Sequence, residues 1–122
     1  MTGHLTQQPQ TPAALARAIL DAIRAQPDAF DMEEWTNLAP GEELEPGAIT
    51  CGTTLCAAGW AAHLTGWTIV STPLSVYAEK DERTCNIGDA ACEALGLTED
   101  ETFWWEDEET AIHRLEEIAG LR

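Results

Sequence analysis

Basic residues are scarce in this chain. Six Lys and Arg stand against 22 Asp and Glu, so the formal net charge is −16 at pH 7. Proteins that bind the phosphate backbone of nucleic acids need clustered Lys and Arg. The composition therefore excludes direct nucleic-acid binding of the ordinary kind. It leaves basic protein partners, cations or simple solubility as the use of the negative charge.

Long apolar runs are also missing. No stretch approaches the roughly 20 apolar residues that a membrane-spanning helix needs. The polar start of the chain lacks the basic and then apolar pattern of a secretory signal. We therefore expect a cytoplasmic protein with no membrane contact. In that compartment the four cysteines are expected to be thiols rather than disulfides.

Helix caps and stops divide the chain into segments with the apolar period of an amphipathic helix. The predicted caps are Thr11, Asn86 and Thr98, the last of these in a capping box with Glu101, and the final helix is expected to begin near Asp107. The predicted stops are Gly66, Gly96 and Gly120. Residues 67–77 are rich in β-branched and aromatic residues, which favours one short β-hairpin. The sequence thus predicts a mainly α fold, a single-domain bundle of about four or five helices over residues 11–122. A disordered tail is expected at residues 1–10.

The centre of this bundle is predicted at residues 51–64. Cys51 and Gly52 would form a turn, Thr53 would cap the helix, and nearly all residues from Thr54 onward are apolar and many are small. A helix that is apolar on most faces belongs in the interior of a domain. The residues assigned to this structural motif are Cys51, Gly52, Thr53, Cys56, Gly59 and Trp60. Upstream, Phe30, Met32 and Trp35 are expected to close the core over this helix, and residues 36–50 to form an acidic loop.

The cysteines also suggest two kinds of chemistry. Cys51 or Cys56, near a helix N-terminus, would be a nucleophile if its pKa were lowered and if His63 or His113 lay beside it. A metal site would combine Cys51, Cys56 and Cys92. The gaps of four and six residues within the cysteine pairs do not match the two to four of typical zinc pairs. We therefore favour a structural role for the thiols and predict no cofactor.

The C-terminal region is the most distinctive part of the surface. Ten acidic residues between Glu93 and Glu117 are opposed only by Arg114, and Phe103, Trp104 and Trp105 lie among them. Two adjacent Trp on the short helix expected there cannot both face the core, so one should be exposed. An exposed Trp ringed by charge is typical of a protein-binding site. The predicted binding residues are Trp104, Trp105, Glu106, Asp107, Glu108 and Glu109.

Three short patterns carry a resemblance to known proteins. They are Phe30-Asp31-Met32-x-x-Trp35, Cys51-Gly52-Thr53-x-x-Cys56-x-Ala58-Gly59-Trp60, and Ala91-x-x-x-Leu95-Gly96-Leu97. Together they resemble a set of short, uncharacterised proteins of actinobacteria and their phages, over most of residues 28–119. The chain departs from them at Trp104-Trp105, where similar proteins tend to have Leu-Phe. The resemblance implies a bacterial host cell as the source and transfers no catalytic residue.

Three functional hypotheses follow. The leading one is a non-enzymatic, phage-associated accessory protein that binds a basic host or phage protein through its acidic, Trp-bearing C-terminal face. The second is a DNA mimic that inhibits a nucleic-acid-binding host defence protein, which requires carboxylates spaced like phosphates. The third is a thiol enzyme or metal-binding protein centred on Cys51 and Cys56.

Overall fold

The computed structural model describes residues 11–49 and 51–121 and contains four α-helices and one antiparallel sheet. The helices are α1 (Pro12–Ala25), α2 (Ala57–Leu64), α3 (Ile87–Leu95) and α4 (Glu108–Ile118). The strands are β1 (Glu43–Leu44), β2 (Thr68–Ser71), β3 (Val76–Lys80) and β4 (Arg83–Cys85). Short 3₁₀ turns cover Pro27–Ala29 and Glu99–Glu101. The tail predicted at residues 1–10 lies outside the described residues.

The predicted mainly α bundle is wrong, because the chain forms a mixed α/β fold. The expected hairpin exists as β2 and β3, with Ile69 paired to Ala78. Two further strands extend it into a four-stranded sheet in the order β1-β2-β3-β4. β1 comes from the middle of the predicted acidic loop, where Leu44 pairs with Ile69. Leu44 is buried, which ties this loop to the core.

α2 lies at the centre of the fold, as the sequence predicted. Seven of its eight residues are buried, and it packs against α1, α3 and β2. Gly66 after this helix has φ +92°, the left-handed stop that was expected. The N-cap is Cys56 rather than Thr53, because the backbone of Leu55 pairs with Phe30 and Thr36. The helix can begin only after those bridges.

The signals at the ends of α1, α3 and α4 are accurate. Thr11, Asn86 and Asp107 each accept a hydrogen bond from a first-turn N–H, at 3.1, 2.7 and 2.8 Å between heavy atoms. Gly96 ends α3 with φ +66°. No helix among the described residues is both long enough and apolar enough for a bilayer span.

The short helix expected through Phe103, Trp104 and Trp105 does not form. Thr98 and Glu101 make the predicted capping box, but it closes only the 3₁₀ turn at Glu99–Glu101. Thr102 then takes extended backbone angles, so the following residues run as an irregular segment into α4. The two Trp side chains are therefore separated by loop geometry rather than by helix geometry.

Candidate protein-binding surface

The segment from Ala29 to Thr36 is fastened to the N-terminus of α2 by backbone hydrogen bonds. Leu55 donates to the Ala29 carbonyl at 3.0 Å, and Asp31 donates to the Leu55 carbonyl at 3.1 Å. The Cys56 N–H donates to the Trp35 carbonyl at 3.2 Å. Since both sides of this contact are backbone, the position of Trp35 is fixed by the fold.

The motif residues of α2 explain why this contact is so close. A Cβ at Gly59 would lie 2.9 Å from the Trp35 carbonyl oxygen, so glycine is required by the close approach. The indole N–H of Trp60 donates to the Ala29 carbonyl at 3.2 Å, and the Ala57 N–H donates to the Met32 sulfur at 3.3 Å. We call the Ala29–Thr36 segment together with residues 55–60 the motif core.

Asn37 completes the turn before the motif core. Its side-chain amide donates to the Gly52 carbonyl at 2.8 Å and accepts from the Thr54 N–H at 2.7 Å. Gly52 has φ +86°, which suits the turn predicted there. Thr53 is buried in this turn, whereas Cys51 is exposed. Sequence reasoning missed Asn37, because its partners lie 15 and 17 residues away.

Trp104 packs mainly into the interior, although it also lines one of the depressions described below, so its assignment as a binding residue stays a prediction. It is 5% exposed, and its ring centroid lies 4.6 Å from that of Phe103. A Cβ on Gly88 would approach the Trp104 ring to 3.3 Å. Trp104 also shares a side-chain hydrogen bond with Cys92, although burial is the larger influence and raises the pKa of that thiol.

Trp105 is the exposed member of the pair. Its relative exposure is 79%, so one of the two adjacent Trp residues is exposed as predicted, although the short helix on which the prediction was based does not form. Its ring meets the half-buried ring of Trp35 edge to face, with 5.2 Å between centroids and 72° between planes. This contact joins the C-terminal segment to the motif core across the surface.

Trp105 lines three depressions, the smallest of about 250 Å³ beside Trp35 and Cys56, and it forms a shared wall of the two larger, open ones. The first, of about 500 Å³, is lined by Met32, Glu33, Trp105, Glu106, Asp107 and Glu108. The second, of about 580 Å³, is bounded chiefly by Trp35, Asn86, Asp89, Glu99, Trp104 and Trp105. We call the two depressions with the Trp35–Trp105 pair the Trp105 surface. Three of the four predicted acidic residues line it, whereas Glu109 does not.

Negative charge surrounds this aromatic pair. Glu33, Glu106, Asp107 and Glu108 line the first depression, and Asp89 and Glu99 line the second. Among the described residues, neither depression is lined by Lys or Arg. Hydrogen bonds from the Thr110 backbone and side chain lower the pKa of Asp107, which favours its charged form. Three arginines instead form ion pairs elsewhere: Arg24 with Glu116, Arg83 with Glu93, and Arg114 with Glu117.

The environment of Cys56 does not suit a nucleophile. Burial raises the pKa of this thiol to about 11 despite its place at the helix N-terminus, so the thiolate is disfavoured. The two candidate histidines contact other groups: His63 Nε2 lies 2.7 Å from the Gly47 carbonyl, and His113 lies 4.0 Å from Glu117. Over residues 11–49 and 51–121, no three His, Cys, Asp or Glu side chains are placed to hold a metal ion.

Sequence reasoning assigned Trp35 wholly to the core and did not include Glu33 in the binding face. No local signal placed them beside Trp105, because the contact joins segments about 70 residues apart in the chain. Comparison with known proteins gives no further assignment: no family model, no curated protein and no solved structure matches this chain.

Proposed function

We propose that this protein is a non-enzymatic accessory protein that binds a basic protein partner through the Trp105 surface. The observation that carries the proposal is the 79% exposure of Trp105 between two depressions lined by carboxylates. Exposing an indole to water forgoes the favourable burial of a large apolar ring. Trp is also the side chain most enriched among the residues that dominate binding energy at protein interfaces.

The arrangement is organised before a partner arrives. The backbone of Trp35 is held by α2, and its ring contacts Trp105. Side chains that are already ordered lose less conformational entropy on binding. The surface thus combines an apolar anchor with a rigid support, which favours slow dissociation of a bound partner.

The charge has a separate role. A net charge of −16 attracts a basic protein at a distance and raises the rate of encounter. The carboxylates around Trp105 then form the charged rim of the contact. Such a rim contributes more to association rate and selectivity than to final affinity.

The setting of this function is part of the same proposal. The resemblance to short actinobacterial and phage proteins supports a phage-associated role in the cytoplasm of a bacterial host. The buried thiol of Cys56, with its raised pKa, supports a structural use of the cysteines over the thiol-enzyme hypothesis.

Affinity capture from an actinobacterial lysate tests the proposal when the protein is used beside two variants. Trp105→Ala removes the anchor without changing the charge. Glu79→Ala removes a carboxylate from a distant depression lined by Glu45, Lys80, Asp81 and Glu82 but by no aromatic residue. We expect one basic protein to be retained by the wild type and by Glu79→Ala, and lost with Trp105→Ala. Equal retention by all three would refute the role of the Trp105 surface.

A competition step separates the DNA-mimic alternative. Duplex DNA added to the captured complex displaces a partner whose nucleic-acid site is occupied by this protein. A partner that resists DNA and is released by Trp105→Ala uses a protein-binding surface of another kind.

A further inference from the structure

We propose that the Trp105 surface recognises arginine, and that the partner places one arginine side chain in each of the two depressions beside Trp105. This rests on the proposed function, because it names the chemistry of the basic partner.

The aromatic pair offers a binding face for a cation. Trp105 contacts Trp35 edge to face, yet most of its side chain stays exposed. The face of an indole ring attracts cations, and Trp does so more strongly than the other aromatic residues. Carboxylates beside the ring add ion pairs to the same cation, so the two attractions act together.

The chain already binds arginine in this way at another place. The Arg83 guanidinium lies over the Trp67 ring, 5.2 Å from its centroid. Its two terminal nitrogens donate to both carboxylate oxygens of Glu93, at 3.3 and 2.8 Å. An indole and a carboxylate thus contact one guanidinium, which lies closer to the ring than the Lys80 ammonium at 5.8 Å. The Trp105 surface has the same two groups without a cation among its lining residues.

Arginine suits this set better than lysine does. The planar guanidinium stacks on an aromatic ring and donates paired hydrogen bonds to a carboxylate, whereas the ammonium of lysine is a compact and strongly hydrated charge. A surface that presents both an indole face and carboxylates therefore discriminates between the two cations. A surface with carboxylates but no aromatic ring, such as the depression beside Glu79, lacks the stacking part.

The two depressions argue for two arginines. Each has its own carboxylates, with Glu33 in the first and Glu99 in the second, and Trp105 lines both. Volumes of about 500 and 580 Å³ leave room for a long side chain in each. A second arginine would add ion pairs with the other set of carboxylates.

Short synthetic peptides test the inference directly. The probe is Gly-Gly-Arg-Ala-Arg-Gly-Gly with blocked ends and a fluorescent label, titrated with the intact protein and followed by anisotropy. Three matched peptides carry citrulline in place of both arginines, lysine in place of both, or alanine in place of one. We expect citrulline, which keeps the shape and loses the charge, to weaken binding at least about 10-fold, and lysine about 5-fold.

Variants of the protein locate the site. Trp105→Leu keeps the net charge and should weaken the two-arginine peptide about 5- to 10-fold. Glu33→Gln and Glu99→Gln should each weaken it about 3-fold, and Glu79→Gln, the control with the same charge change, less than about 2-fold. The single-arginine peptide, which can occupy either depression, should lose less affinity than the two-arginine peptide with each of these two substitutions. Circular dichroism shows whether each variant is folded.

Several outcomes would overturn the inference. Lysine and arginine peptides that bind equally, or a Trp105→Leu variant that binds normally, would reduce the effect to general charge attraction. Equal losses with Glu79→Gln and Glu33→Gln would do the same. If these peptides fail while capture of a protein partner still depends on Trp105, the proposed function stands and arginine recognition is wrong. If the peptides behave as expected and no partner depends on Trp105, the site recognises arginine and the proposed function fails.

Discussion

The motif core and the Trp105 surface are both built around tryptophan, but the indole is buried in the first and exposed in the second. Trp60 is 2% exposed, and its N–H donates to the Ala29 carbonyl. Trp105 is 79% exposed and borders two open depressions. The most distinctive sequence motif therefore serves packing, whereas the candidate site depends on a loop outside that motif. Loops held by a rigid scaffold are common locations for binding residues.

Trp35 connects the two regions. Its carbonyl accepts a hydrogen bond from Cys56 in the motif core, and its ring packs against Trp105. Changes in the motif core should therefore affect both folding and the surface. Changes at Trp105 should affect binding alone.

The largest expected effect is on stability. Trp60→Ala should lower the free energy of unfolding by about 3–5 kcal/mol, because it leaves a cavity among buried residues and removes one of the two hydrogen bonds that the Ala29 carbonyl accepts. Trp105→Ala, the matched substitution at the exposed site, should change it by less than about 0.5 kcal/mol. Urea unfolding followed by circular dichroism measures both. Similar losses for the two variants would end the distinction between a packing Trp and a binding Trp.

Local signals predicted the helices well and the sheet poorly, for a physical reason. Caps such as Asn86 and stops such as Gly96 act within one helical turn, so the residues that decide them are neighbours in sequence. β1 has only two residues and exists because Leu44 pairs with Ile69, a contact across 25 positions. β4, with Arg83 and Cys85, has no apolar alternation to indicate a strand.

The candidate site could likewise be predicted only in part. The exposure of one Trp followed from the Trp104-Trp105 adjacency, because the two side chains cannot share one direction. Which of them is exposed depends on Gly88, whose missing side chain admits Trp104. The contribution of Trp35 required the bridges that place Leu55 between Phe30 and Thr36. Such tertiary contacts leave no local pattern.

The next effect concerns the close approach in the motif core. Gly59→Ala should destabilise the protein by about 1–3 kcal/mol, because the new Cβ would lie 2.9 Å from a backbone carbonyl. In an open helix the same change stabilises, since alanine is the better helix former. The sign of the change in melting temperature is therefore decisive. A higher melting temperature for Gly59→Ala would show that the segment carrying Trp35 is not tightly packed on α2.

The binding kinetics should separate the anchor from the charge. With an identified partner, Trp105→Ala should cost about 2 kcal/mol and act mainly on the dissociation rate. Reversal of Glu106, Asp107, Glu108 and Glu109 to Lys should slow association and flatten its salt dependence, because salt screens charges beyond roughly 10 Å at 0.1 M. Surface plasmon resonance at several salt concentrations measures both rates. A partner whose association and dissociation rates are the same for both variants as for the wild type binds elsewhere. The acidic loop at residues 36–50 would then be the next region to test.

The smallest expected effect is a pH dependence of the free energy of unfolding, and it arises in α2. His63, on α2, is 2% exposed. Its Nε2 lies 2.7 Å from the Gly47 carbonyl, and its Nδ1 has no hydrogen-bond partner in the described structure. A carbonyl only accepts hydrogen bonds, so Nε2 carries the proton and Nδ1 is bare in the neutral ring. Burial lowers the pKa of His63 from 6.5, and the hydrogen bond to Gly47 offsets this only in part.

The sign of the pH effect follows from where the proton binds. As the pH falls through about 6.5, the unfolded chain takes up a proton at this histidine and the folded chain does not. The free energy of unfolding should therefore be highest above that pH and decline toward the lowered folded pKa. Between pH 7 and 5.5 most carboxylates remain charged, so this window separates histidine titration from that of the carboxylates. Urea unfolding should show a decline for the wild type that His63→Gln flattens, since the amide can still donate to Gly47 without titrating.

His113→Gln, at an exposed site, is the matched control and should keep the wild-type slope. If His63→Gln keeps that slope as well, the buried ring does not control the acid response, and the surface carboxylates would have to explain it.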